Sequence, residues 1–176
     1  CVSVAAALPA AGQDGPDVVR IAGDERYETA ADVARAFPTG VERVFLATGE
    51  DFPDALAASA VAGQWQYPIL LVRSDAIPAA TRDALRRLEP AGITILGGTQ
   101  AVGDRVEVQA AEFTTGPVDR LAGDDRYETA TAIVDEYVDP GIPVVYVATG
   151  EGFADALTGG PAAIVDGGPI LLVSRD

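Results

Sequence analysis

The sequence predicts an α/β protein made of tandem βαβ repeats, with small parallel sheets in Rossmann-like or flavodoxin-like layers. A twelve-residue block that begins at Arg20 returns at Arg120, 100 residues later, with nine positions identical. Short apolar runs without polar alternation, typical of strands buried on both faces, are separated by Ala-rich stretches long enough for crossover helices. We therefore interpret the chain as a duplicated βαβ unit.

The first repeat opens with a predicted helix at 25–37. Tyr27 and Ala34 belong to an apolar stripe with helical spacing, and acidic residues lie off this stripe. A turn at Gly23 precedes the helix, and Asp24 is the predicted N-cap, with Asp124 as its counterpart in the second repeat.

The remaining elements continue the alternation. We predict strands at 44–48, 68–72, 93–96, 144–148 and 170–173, and helices at 54–63, 79–88 and 125–138. A helix is also expected after the strand at 144–148, as the second copy of the helix at 54–63. It contains the run Gly159-Gly160-Pro161, which is expected to shorten or kink it.

The internal duplication divides the chain into three predicted segments. Residues 1–16 form a tail, residues 17–116 the first repeat and residues 117–176 the second. The counterpart of segment 77–98 would fall beyond Asp176, so we expect the second repeat to be truncated. Repeats complete their cores against neighbours, and we expect an extensive contact between the two units.

The N-terminal segment starts with Cys1, the only cysteine, and is rich in alanine. We interpret it as the remnant of a secretory signal peptide, with a lipidated Cys1 or a neutral tail as alternatives. No apolar run approaches the roughly 18 to 20 residues of a membrane-spanning helix. The chain is expected to be secreted.

Charge and composition exclude several functions. The formal net charge is −15, and the twelve basic residues form no stripe, which disfavours nucleic acid as a partner. The chain lacks histidine, and its one cysteine lies in the tail, which argues against a histidine-dependent or thiolate hydrolase. We expect no enzymatic activity, no metal site and no cofactor.

Candidate ligand-binding residues follow the strand at 44–48. Ligands of parallel sheets collect at the carboxyl ends of strands, which is where Thr48, Gly49 and Asp54 lie. Asp54 or its neighbour Asp51 could instead cap the next helix, and Thr48 could satisfy loop backbone groups. The matching candidates in the second repeat are Thr149, Gly150 and Asp155.

A second group of candidates lies in the repeated block. The planar guanidinium of Arg26 can hold a carboxylate or phosphate through two N–H groups, and a sugar-phosphate polymer would suit it. The alternative is an internal ion pair that locks the loops. The candidates are Asp24, Arg26 and Tyr27, with Asp124, Arg126 and Tyr127 as their copies.

The blocks at 20–30, 47–56, 68–72 and 95–98 together resemble the cell wall binding repeat 2 family. The resemblance implies a non-catalytic anchor of secreted bacterial surface proteins that binds an anionic secondary wall polymer. It also implies further repeats in cis or trans, usually three around a pseudo-threefold axis. In the second copy Gly152 replaces Asp51, which weakens the case for a ligand role of Asp51.

Two other functions stay open. The chain could be the targeting segment of a wall amidase or protease whose catalytic domain lies elsewhere, or its repeats could assemble into a surface layer. An anionic polymer fits poorly with a charge of −15. Either local arginines dominate the contact, or a divalent cation bridges carboxylates to the polymer.

Overall fold

A computed structural model describes residues 18–175, and the predicted tail at 1–16 with Cys1 lies outside this range. The predicted α/β class with small parallel sheets is confirmed. The helices are α1 (Arg26–Val33), α2 (Pro53–Trp65), α3 (Ala79–Leu88), α4 (Asp104–Ala110), α5 (Arg126–Tyr137) and α6 (Ala154–Asp166). The strands are β1 (Arg43–Thr48), β2 (Ile69–Val72), β3 (Gly92–Leu96), β4 (Val118–Leu121), β5 (Tyr146–Thr149) and β6 (Ile170–Val173). Short 3₁₀ turns follow α1 and α4 at Ala34–Ala36 and Ala111–Phe113.

The first sheet has four parallel strands in the order β2-β1-β3-β4. Phe45 is opposite Ile69 in β2, and Leu46 is opposite Ile95 in β3. The chain leaves β1 toward β2 on one side and later returns to β3 on the other. Parallel sheets bind ligands at such a reversal of strand order, outside the carboxyl ends of the strands.

The strand β4 was not predicted from the sequence, and neither was α4. Residues of β4 lie in the second predicted repeat, yet they pair with β3 of the first, with Ile95 opposite Arg120. The second repeat therefore contributes the edge strand of the first sheet. The boundaries predicted for the two repeats, 17–116 and 117–176, stay a prediction.

The second sheet consists of β5 and β6 among the described residues. The pairing starts at Tyr146, whose N–H donates to the carbonyl of Pro169 (2.9 Å), and ends with Thr149 opposite Val173. The predicted strand at 144–148 was thus placed two residues too early at its start. Val144 and Val145 precede the hydrogen-bonded ladder.

Of the two clusters of buried apolar residues within 18–175, one spans both repeats, as expected from the duplication, and the buried members of the other lie in the first repeat. Helix α2 packs against α5 and α6 of the second repeat. Phe45 of β1 contacts Tyr137 of α5, with ring centroids 5.3 Å apart. Gly63 of α2 lies against Ile164 of α6, so closely that a Cβ at position 63 would lie 2.2 Å from Ile164 Cδ1.

Three expectations about helix ends differ from the structure. The N-cap residues of α1 and α5 are Glu25 and Asp125, one position after the predicted Asp24 and Asp124. Asp125 accepts hydrogen bonds from two backbone N–H groups of α5, whereas the side chain of Glu25 accepts none at its cap. At Asp24 and Asp124 it is the backbone N–H that is bonded, to the side chain four residues later (2.6 and 2.8 Å).

The other two differences concern α2 and α6. The N-cap of α2 is Phe52, so neither Asp51 nor Asp54 caps this helix. Helix α6 is as long as α2, 13 residues, although Pro161 lies inside it. The expected shortening is absent, because α6 is held on both sides by packing against α2 and its own sheet. The alternative expectation, a kink at Pro161, stays a prediction.

Candidate functional site

The loop after β1 is held by the first residues of α1. Arg26 donates a hydrogen bond from Nη1 to the carbonyl oxygen of Gly49. The buried ring of Tyr27 rests directly on Gly49, where a Cβ would lie 2.6 Å from Cε1 of the ring. The hydroxyl of Thr48 accepts a hydrogen bond from the N–H of Glu50 (3.1 Å). The repeated block thus fixes the backbone at the carboxyl end of β1.

The second repeat reproduces this arrangement. Arg126 Nη1 donates to the carbonyl oxygen of Gly150 (2.7 Å), and Tyr127 lies against the same glycine. Thr149 accepts from the N–H of Glu151 (3.2 Å). Part of the repeated motif is therefore explained by loop structure. Thr48 satisfies a backbone N–H of the loop, which was the alternative to a role in ligand binding.

An open cavity of about 710 Å³ lies over the carboxyl ends of β1 and β2. Arg73, the residue after β2, forms an ion pair with Glu25 (3.1 Å) and holds its guanidinium 4.8 Å from the ring centroid of Tyr27. A cation over an aromatic face is held by the ring quadrupole. We call this cavity the arginine cleft; it is lined by Asp24, Glu25, Arg26, Tyr27, Gly49, Glu50 and Arg73.

The guanidinium of Arg26 is only partly used by the protein. Within residues 18–175 its one side-chain hydrogen bond goes to Gly49, and no carboxylate pairs with it. A guanidinium has five N–H donors, so the remaining ones are available to a ligand in the arginine cleft. Arg126 differs, because its Nη2 lies 3.6 Å from Asp51 of the first repeat. The predicted internal pairing is therefore present for Arg126.

A second cluster lies beside the cleft, where strand order reverses and the repeats meet. Asp54 is 8% exposed, and no described residue donates a hydrogen bond to its carboxylate. It contacts Gly97, which follows β3 and has φ +96°; a Cβ there would lie 2.3 Å from Asp54 Oδ2. We call this cluster the junction; its members are Asp51, Asp54, Gly97 and Arg126.

Electrostatics at the junction make ionisation of Asp54 less favourable than that of an ordinary aspartate. Burial raises the pKa of Asp54, the neighbouring charge of Asp51 raises it further, and Arg126 lowers it. A ligand hydroxyl that donated to Asp54 would replace the water that the carboxylate has lost.

The predicted site residues thus fall into separate places. Asp24, Arg26, Tyr27 and Gly49 line the arginine cleft, while Asp54 and Arg126 meet at the junction. Thr48 is buried and accepts a hydrogen bond from the N–H of Glu50 in the loop after β1. In the second repeat Asp124, Tyr127, Thr149 and Gly150 repeat the loop structure, and Asp155, the copy of Asp54, is exposed.

Arg73 was missed by the sequence reasoning. Its position directly after the strand at 68–72 was the available signal, because that strand ends at the same edge of the sheet as β1. The second repeat has Ser174 there, so the duplication did not point to it.

Residues 18–175 contain no group of three or more His, Cys, Asp or Glu side chains placed to hold a metal ion. Within the same range, the helices are too short or too polar to cross a bilayer.

Comparison with known proteins gives a family match across most of the chain. The sequence model of the family described as "Cell wall binding domain 2 (CWB2)" matches residues 20–107 and 120–176. The chain is 31% identical over 159 residues to the amidase enhancer of Bacillus subtilis (strain 168), covering 89% of this chain and 22% of that protein. It is 28% identical over 158 residues to N-acetylmuramoyl-L-alanine amidase LytC of the same strain, covering 90% and 31%.

A solved structure gives the same result. Cwp6 from Clostridium difficile superposes with a TM-score of 0.80 at 32% sequence identity, over 89% of this chain and 25% of that one. The chain spans less than a third of the length of each of these three proteins.

Proposed function

Because the chain belongs to the Cell wall binding domain 2 family, we propose that it anchors a larger secreted protein by holding an anionic wall glycopolymer in the arginine cleft. The observation that carries this proposal is the pair of guanidiniums, Arg26 and Arg73, at the carboxyl ends of two adjacent strands. Arg26 keeps N–H donors for a ligand, and a planar guanidinium binds a phosphate or carboxylate through two parallel hydrogen bonds.

The cleft is not positively charged overall. Two arginines face three carboxylates there, of which Glu25 is paired with Arg73. Recognition must then depend on directed hydrogen bonds more than on net charge. A polymer with both anionic groups and hydroxyls meets these demands, since its hydroxyls can donate to Glu50 and, at the junction, to Asp54.

The anchor is proposed to do no chemistry itself. The chain has no histidine to act as a base near neutral pH, and its one cysteine is at position 1. Further repeats of the same family would extend the binding surface beyond the two present here. The protein would then be found in the bacterial wall or at the cell surface.

A second candidate concerns what the anchor carries. One relative is named as an N-acetylmuramoyl-L-alanine amidase and another as an amidase enhancer, and this chain matches only part of each. This favours a wall hydrolase or its helper as the attached protein, with the present chain as its targeting segment. The full-length reading frame distinguishes such a hydrolase from a purely structural surface protein.

The direct test is cosedimentation of the chain with walls of the producing bacterium, before and after the secondary polymer is extracted with acid. We expect binding to intact walls and loss of binding after extraction. Unchanged binding to extracted walls would exclude the polymer as the ligand. Self-assembly in sedimentation without wall affinity would instead indicate a surface-layer role.

A divalent cation bridging the polymer to carboxylates is a separate hypothesis. It requires ligand atoms from the polymer in addition to those of the chain. A chelator added to the cosedimentation assay tests it, and binding that persists in chelator rules it out.

A further inference from the structure

A second concave surface lies at the opposite end of the first sheet from the arginine cleft. Segment 36–42 leads into β1 and segment 62–67 leads from α2 into β2, so the surface lies at the amino ends of these strands. Its volume is about 520 Å³, which is within the range of small-molecule sites. We call it the aromatic groove; the residues that matter are Phe37, Pro38, Glu42, Trp65, Gln66 and Tyr67.

Trp65 is the most unusual side chain of this groove. It is the only tryptophan of the chain, and half of its surface is exposed. Its ring stacks on Tyr67, with centroids 6.2 Å apart and planes 21° apart. Tyr67 is buried and packs edge-on against Phe45 in the core. The core therefore holds the indole in place while leaving part of it open to solvent.

The second repeat makes the same backbone turn without an aromatic residue. The N–H of Tyr67 donates to the carbonyl of Ala62 (2.8 Å), and the N–H of Gly168 donates to Ala163 (2.9 Å). Tyr67 and Gly168 occupy the same position of the two repeats, each just before the Pro-Ile-Leu-Leu-Val strand. The turn itself thus requires no large side chain.

The two positions before Tyr67 also carry larger side chains in the first repeat than in the second. Trp65 and Gln66 of the first repeat correspond to Asp166 and Gly167 of the second. Gln66 has φ 58° and Gly167 has φ 70°. A side chain in this left-handed region costs roughly 1 kcal/mol relative to glycine. The first repeat therefore carries an exposed indole and a strained glutamine that the fold does not need.

We propose that the aromatic groove binds one uncharged sugar ring of a wall glycan, with the C–H face of the ring against Trp65. The face of an indole is negatively polarised and attracts the positively polarised C–H groups of a pyranose. Gln66 and Glu42 lie at the rim and supply an amide and a carboxylate for sugar hydroxyls. Burial raises the pKa of Tyr67, and the nearby carboxylate of Glu42 raises it further.

The rim also limits what the groove can accept. Glu42 would repel an anionic sugar, since the chain carries a net charge of −15 and no arginine lines this groove. Two short turns provide far less area than a stable protein interface, which takes roughly 20 to 30 residues a side. An uncharged ring fits both limits. The site is separate from the arginine cleft and does not depend on the function proposed for it.

Trp65 provides the readout, because all tryptophan fluorescence of the chain comes from the groove. The probe is the β-1,4-linked trimer of N-acetylglucosamine, and galacturonic acid is the charged comparison. We expect a saturable blue shift with the trimer and none with galacturonic acid. A trimer titration without a saturable shift would overturn the proposal, as would a shift that depends on protein concentration, since another copy would then cover the groove.

Calorimetry with variants completes the test. The double variant Trp65→Asp, Gln66→Gly installs the residues of the second repeat, so its fold should be preserved. We expect its affinity for the trimer to fall at least about tenfold, or 1.4 kcal/mol. The control is Arg26→Gln with Arg73→Gln, which should bind the trimer as the unmodified chain does. Equal affinity of the groove variant, or loss of trimer binding in the control, would contradict the proposal.

Discussion

Tyr127 and Gly150 are in such close contact that a Cβ at position 150 would lie 2.5 Å from Cε1 of the ring. We predict that Gly150→Ala destabilises the chain by about 1 to 3 kcal/mol, because the ring and the loop must move apart. The matched control is Gly152→Ala, two residues away, where a Cβ meets nothing within 4 Å. Thermal unfolding of both variants checks this, and equal melting temperatures would contradict it.

The first arginine of the repeated block has a different environment in each copy. Arg120 is mostly buried, pairs with Glu107 (2.9 Å) and donates to the carbonyls of Gly97 and Val102. Arg20 is exposed and has no partner among residues 18–175. We expect Arg120→Met to destabilise by about 2 kcal/mol, since buried acceptors lose their donor.

The same substitution at position 20 is the control. Arg20→Met should change the free energy of unfolding by less than about 0.5 kcal/mol, as for most surface positions. Denaturant unfolding measures both variants. Similar losses in the two would contradict the stabilising role assigned to the side-chain contacts of Arg120.

The raised pKa of Asp54 predicts a pH-dependent stability. Since this carboxyl group ionises less readily in the folded chain, its contribution is fully favourable below the ordinary aspartate pKa of 3.8 and is lost as pH rises through the folded-state pKa. Asp54→Asn should therefore raise the melting temperature at pH 7 by about 2 to 4 °C, as expected for about 1 kcal/mol. The difference should disappear at pH 3.

Asp155→Asn is the matched control, because this copy is exposed. It should leave the melting temperature unchanged at both pH values. In the proposed function Asp54 also accepts polymer hydroxyls, so Asp54→Asn should weaken wall binding while it stabilises the fold. A variant that is less stable at pH 7 than the unmodified chain would contradict the assignment.

Much of the architecture could be predicted because the duplication repeats local patterns. The repeated apolar runs at 68–72 and 170–173 became β2 and β6, and the family resemblance is confirmed by the match to the family model. The strand β4 could not be found in this way, because Asp119 and Arg120 interrupt its apolar pattern. Its partner β3 also belongs to the other repeat, and such pairing leaves no local signal.

The site was less predictable for a related reason. Asp54 and Asp155 occupy the same motif, yet one is buried and the other exposed. The difference arises because Gly97 of the same repeat and Arg126 of the second repeat both lie near Asp54. A sequence motif specifies the loop, whereas burial and charge at that loop are set by the elements packed around it.

If Arg26 and Arg73 hold the wall polymer, their removal should weaken the binding isotherm of the chain on extracted polymer. The double variant Arg26→Gln, Arg73→Gln is compared with Arg35→Gln, Arg86→Gln, which removes the same charge from exposed helical ion pairs outside the arginine cleft. We predict at least about a tenfold loss of affinity, 1.4 kcal/mol, for the cleft variant and little change for the control. Equal affinities of the two double variants would contradict this role of Arg26 and Arg73.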